Sequence, residues 1–138
     1  MSPNMNALNS RSVNALSISG NETDHIFLQK IFTGTRLWKL HQARSFEEAL
    51  RCLDQHQLQV VISDSRIPQG SWKEVLQALD SRPNPPMLVV TARCADERLW
   101  AEALNCGAYD VLARPLDGDE VTRVVDSAVR HFEAARKN

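Results

Sequence analysis

The chain has 138 residues and a mass of 15.5 kDa, enough for one compact domain with a sizeable core and too little for two ordinary ones. Hydrophobic residues at 43%, charged residues at 24% and a formal net charge of -1 describe a soluble globular composition with no overall pull toward nucleic acid or a membrane surface. The longest apolar runs, such as Val60–Ile62 and Met87–Val90, fall far short of the roughly 20 residues of a membrane-spanning helix.

Residues 1–12 have no basic start followed by an apolar stretch, so they read as a disordered leader and not as a signal peptide, and a cytoplasmic location is expected. From Val13 onward, short β-type runs alternate with helical periodicity, which predicts a parallel sheet covered on both faces by helices, an α/β domain over residues 13–138. The first strand is predicted at Val13–Ser19, followed by a helix with Leu28, Ile31 and Phe32 on one face. The second strand, Arg36–Gln42, precedes a helix that starts at Ser45 with Glu48 and carries Phe46, Ala49, Leu50 and Leu53. The third strand, Gln59–Asp64, turns at Pro68 into a helix opened by Ser71 with Glu74 and striped by Trp72, Val75, Leu76 and Leu79. Three prolines between Ser81 and Pro86 end that helix and deliver the chain into the fourth strand, Met87–Thr91. Trp100, Ala103 and Leu104 mark a fourth helix, and both Trp72 and Trp100 are expected in the core. The fifth strand is Tyr109–Leu112. Asp117 with Glu120 then opens a last helix whose stripe is Val121, Val124, Val125, Ala128, Val129 and Phe132.

Cys52, Cys94 and Cys106 are odd in number and lack CxxC spacing, so they read as idle or buried thiols. His25, His41, His56 and His131 lack HxxxH or HExxH spacing and suggest no metal centre. In a fold of this kind ligands meet the carboxyl ends of the strands, here Ser19-Gly20, His41-Gln42, Asp64-Ser65, Thr91-Ala92 and Ala113-Arg114-Pro115. Asp64, ending a central apolar run, is the best single candidate site.

Three strings sit at those ends: VVISDSRIP at 60–68, PMLVVTA at 86–92 and GAYDVLARP at 107–115. Together they resemble the response-regulator receivers (CheY-like), over nearly the whole chain from Val13. The resemblance implies a flavodoxin-like, doubly wound (βα)5 sheet with strand order 2-1-3-4-5. It implies Asp64 as acceptor of a phosphoryl group from a sensor histidine kinase, and Thr91, Ala92, Arg114 and Pro115 as phosphoryl-contacting or switch residues. It further implies a signalling role and not an enzymatic one, Mg²⁺ as cofactor, a kinase or downstream effector as partner, and dimerisation through the fourth and fifth helices. Three positions depart from the pattern. Receivers carry two adjacent acidic residues where this chain has Ser19 and Gly20, and Asp64 alone is a poor magnesium site. Glu22 and Asp24 follow closely, but as first-turn acidic residues they read as helix-dipole partners. Arg114 replaces a lysine, keeping the charge while changing its geometry, and is expected to pair with Asp64. Val111 replaces a switch aromatic, and Tyr109, two residues earlier and on the same face of the predicted strand, is a poor substitute.

Two functional readings follow: a receiver phosphorylated at Asp64, or a phosphorylation-independent pseudo-receiver acting as a protein-interaction module. A nucleotide-binding or enzymatic α/β domain has no GxGxxG, GxxxxGK[ST] or GxSxG motif in its favour. The chain reads equally as a stand-alone protein or as part of a longer regulator.

Overall fold

The computed structural model describes residues 12–35, 37–93 and 97–136. The expected leader apart from Ser12, the first residue of the second predicted strand and Cys94 lie outside them. Five strands, β1 (Val13–Ile18), β2 (Trp38–Ala43), β3 (Val60–Asp64), β4 (Met87–Ala92) and β5 (Asp110–Ala113), pair in parallel in the order β2-β1-β3-β4-β5. The helices are α1 (Glu22–Thr33), α2 (Phe46–Gln55), α3 (Trp72–Asp80), α4 (Glu97–Cys106) and α5 (Gly118–Arg136). Class and strand order agree with the sequence expectation, and strand limits move by one or two residues.

The sheet is apolar on both faces, as a parallel sheet sandwiched by helices must be. Period-two alternation divides its side chains. Leu16, Ile18, Val61, Leu88, Val90 and Val111 face a core shared with α2, α3 and α4. Val13, Ala15, Val60, Ile62, Val89 and Leu112 face a core shared with α1 and α5. In the second core Phe32 and Trp38 tilt against each other at 5.3 Å between ring centroids, and the α5 stripe from Val121 to Phe132 is buried throughout. Each such large apolar side chain contributes on the order of 2 kcal/mol by leaving water.

Local chemistry sets the helix starts. Ser45 Oγ accepts from the Glu48 backbone N–H while Glu48 accepts from the Arg44 N–H, and Asn21 caps α1 through the Thr23 N–H. Ser71 accepts from the Lys73 N–H and donates to Glu74. Among the described residues no helix is long and apolar enough to cross a membrane.

Three expectations need correction. Pro68 does not lead straight into α3: Arg66–Ile67 and Gly70–Ser71 first form a two-residue antiparallel ribbon, whose tip holds Gln69 at φ 74°. Trp72 is buried, but Trp100 is 47% exposed and Leu104 44%, because α4 sinks only Ala103 fully. Tyr109 does not share a face with Val111. It precedes β5, packs toward the α1–α5 core and brings its hydroxyl to Ser127.

Candidate functional site at the carboxyl edge of the sheet

The ends of β3, β4 and β5 converge because their register is continuous. Asp64 is paired with Thr91, and Ala92 with Ala113, and the Arg114 N–H donates to the Ala92 carbonyl at 2.9 Å. The peptide between Arg114 and Pro115 is cis. This register sends the Arg114 side chain back across the sheet edge. Its Nη1 donates to Asp64 Oδ1 at 3.3 Å, its Nη2 lies 3.1 Å from Asp64 Oδ2, and Nη2 also donates to Thr91 Oγ1 at 3.3 Å. Asp64, Thr91 and Arg114, all picked out from sequence, therefore meet. Ala92 is buried behind them, and Pro115 is exposed beside them.

The residue that sequence reasoning undervalued is Asp24. Its carboxylate accepts from Arg114 Nη2 and from Ser19 Oγ at 2.9 Å, so it is an ion-pair partner inside the site and not merely a dipole partner of α1. Glu22 turns outward to Arg44 at 2.7 Å. A signal was present: Asp24, Leu28 and Phe32 stand at i, i+4 and i+8, which places Asp24 on the buried stripe of its helix. His25 lies behind it with no exposure. Its Nε2 is 2.9 Å from the Ser19 carbonyl and its Nδ1 3.0 Å from Ser17 Oγ. Ser19 is thus fixed from both sides, accepting also from the Asn21 N–H at 3.0 Å, and it aims Asp24 at Arg114.

The Arg114, Asp24 and Asp64 side chains are 17%, 12% and 17% exposed, so their mutual attraction is only partly screened. Burial by itself would lower the Arg114 pKa. The hydrogen bond and charge of Asp64, with those of Asp24, outweigh it and hold the pKa above its ordinary value.

The resemblance implies Mg²⁺ beside Asp64, and the residues do not fit it. Ser19 offers a hydroxyl already committed to Asp24, and Gly20 offers no side chain. A Cβ on Gly20 would approach the Pro68 ring to 3.1 Å. Both nearby carboxylates are turned onto Arg114. Among the described residues no group of three or more His, Cys, Asp or Glu side chains is placed to hold a metal ion. Outside Asp64 lies a cavity of about 440 Å³ bordered by Gly20, Ser65, Arg66, Pro68, Arg93 and Arg114.

Comparison with known proteins gives a consistent result. A family model described as the response regulator receiver domain matches residues 21–126. The transcriptional regulatory protein FixJ of Bradyrhizobium diazoefficiens is 35% identical over 79 residues, covering 56% of this chain and 38% of that protein. The response regulator protein PilR of Pseudomonas aeruginosa is 29% identical over 114 residues, covering 82% of this chain and 25% of that protein. The chain thus spans well under half the length of these curated relatives. Among solved structures, the signal receiver domain of an HD domain-containing protein from Pseudomonas fluorescens Pf-5 superposes with a TM-score of 0.80 at 25% identity, covering 90% of this chain and 99% of that one. A signal receiver domain from Vibrio parahaemolyticus shares the fold, with a TM-score of 0.83 at 15% identity over 91% of this chain and 96% of that one.

Proposed function

The chain belongs to the response regulator receiver domain family, and from that membership we propose that it serves two-component signalling as a pseudo-receiver, switched at the Asp64–Arg114–Asp24 bridge by a partner and not by phosphoryl transfer to Asp64. The observation that carries this reading is the position of Arg114. One guanidinium engages both carboxylates and Thr91 at once. In that arrangement Asp64 Oδ1 and Oδ2 are both engaged by the Arg114 guanidinium, and among the described residues no group of side chains is placed to hold a divalent ion beside them, so Asp64 stands as one end of a bridge and not as a free nucleophile. Thr91, Ala92 and Pro115 then act as the surround that senses whether the bridge is closed.

The partner is a sensor histidine kinase or a downstream effector, and the working location is cytoplasmic. A second copy packs on the α4 and α5 side, where α4 offers Trp100 and Leu104 as apolar surface. The reading includes no enzymatic activity.

The test is intact mass after incubation with acetyl phosphate and magnesium. The expected outcome is an unmodified chain. A single added phosphoryl group that disappears in Asp64→Asn would overturn the proposal and establish the phospho-acceptor reading instead.

A further inference from the structure

The row of β1 side chains that looks toward α1 changes character along its length. Period-two alternation puts Val13, Ala15, Ser17 and Ser19 in one row, the first two in the core shared with α1 and α5, the last two buried and polar. The buried residues of α1 change in the same way: Leu28 and Phe32 are apolar, while Asp24 and His25, near its start, are polar. A crossover helix runs back against its strand, so apolar meets apolar at one end of this seam and polar meets polar at the other. His25 spans the polar end. Its Nδ1 is 3.0 Å from Ser17 Oγ and its Nε2 2.9 Å from the Ser19 carbonyl, so one ring is fastened to two positions of the strand. A rotation of α1 that broke either bond would leave a buried imidazole or a buried serine unpaired, which is costly in a low-dielectric interior. The ring thus fixes how α1 is turned about its own axis. Asp24, the preceding residue, lies about 100° around the same helix, and its direction follows from that setting.

We propose that His25 is a positioning residue of the Asp64–Arg114–Asp24 bridge: by clamping α1 to Ser17 and Ser19 it keeps Asp24 on Arg114, and without the clamp Arg114 is left to Asp64 and Thr91. The chain of bonds is continuous. Ser19, whose carbonyl accepts from the ring, donates its hydroxyl to Asp24 Oδ2 at 2.9 Å, and the same Oδ2 accepts from Arg114 Nη2. Ser19 is itself held at the strand end, its N–H donating to the Ala43 carbonyl at 3.1 Å, so the clamp sets the helix and not the strand. Leu28 and Phe32 cannot supply this setting, because the burial that holds them is non-directional. The inference rests on the pseudo-receiver reading for the use of the bridge, and adds to it the element that must turn for the bridge to open.

The experiment is a double-mutant cycle of Asp24→Asn and Arg114→Met on the full chain, read by urea denaturation as the factor by which the two substitutions depart from independence. The cycle is repeated in His25→Gln, His25→Phe and Ser17→Ala backgrounds. Glutamine sets an amide N–H where Nε2 stood, phenylalanine keeps the ring without polar atoms, and Ser17→Ala removes one of the two anchors while the histidine stays. The parent factor should be about tenfold; His25→Gln should keep it, His25→Phe should bring it close to one, and Ser17→Ala should reduce it to about threefold. If His25→Phe does not fold, Ser17→Ala decides alone. A residue that merely stabilises the core shifts all four members of a cycle together and leaves the factor unchanged. A factor unchanged in the phenylalanine and alanine backgrounds, or lost as fully with glutamine as with phenylalanine, would overturn the proposal. No coupling in the parent would remove the bridge and the pseudo-receiver reading with it, whereas coupling that ignores His25 removes this inference alone.

Discussion

Arg114 is the residue on which the site's charge balance turns, because two carboxylates on different elements depend on one guanidinium. Replacing it with methionine keeps much of the volume but leaves Asp24 and Asp64 facing each other uncompensated. For a pair this little exposed, Arg114→Met should cost about 2 kcal/mol in urea denaturation at neutral pH, less than a fully buried pair would lose. Adding Asp24→Asn should return part of that loss, and a double variant no more stable than the single one would contradict the bridge. Asp64, Thr91 and Arg114 were legible in the sequence because each closes an apolar strand and is flanked by a recognisable string. Asp24 was not, since a first-turn acid suits the helix dipole wherever it points. Only its spacing to Leu28 and Phe32 separates the two roles.

Among the elements, α4 and α3 make the clearest contrast. Both carry a tryptophan at helical spacing with small and apolar neighbours, and the pattern alone puts both in the core. Trp72 at the start of α3 is 4% exposed and touches the core beside β3, whereas α4 presents Trp100 outward with Leu104. Trp72→Ala should therefore cost about 3 kcal/mol or more, and Trp100→Ser about 0.5 kcal/mol or less, both measured by denaturant unfolding. Comparable losses at the two positions would show that α4 is seated more deeply than its exposure indicates. The ribbon at Arg66–Ile67 and Gly70–Ser71 had no sequence signal of this kind, because two residues per strand are too few to show alternation. The strands were easier to find. Their apolar runs are bounded by prolines, caps and polar residues, leaving a margin of only one or two positions.

At the scale of the molecule, stability should depend on pH through groups remote from the site. His41 on β2 stacks on His56 beyond α2, with ring centroids 3.9 Å apart. Burial, together with the charges of His56 and Lys39, lowers the His41 pKa. The folded chain then takes up this proton at lower pH than the unfolded chain, whose histidine titrates near about 6.5. Stability is full above that value and falls as pH drops through it toward the folded pKa. Glu22, lowered by its hydrogen bond to Arg44, has the same sign in a more acidic window: its contribution is present above the unfolded carboxylate value and lost as pH falls through the folded one. The urea midpoint should begin to step down as pH falls through about 6.5, and His41→Gln should flatten that step. A step of equal size in the variant would assign it elsewhere.

The imidazole sealed behind Ser19 gives the molecule a spectroscopic use. A carbonyl oxygen can only accept, so the Nε2 of His25 that approaches the Ser19 carbonyl must carry a proton, whichever way Ser17 and Nδ1 share theirs. With His25 fully buried, that proton is sheltered from exchange with water, and its acceptor is Ser19, the residue whose carbonyl and hydroxyl oxygens connect the ring to Asp24. Its nuclear resonance is a label built into the chain, two hydrogen bonds from the bridge, and able to register the opening of that bridge with nothing attached to the surface.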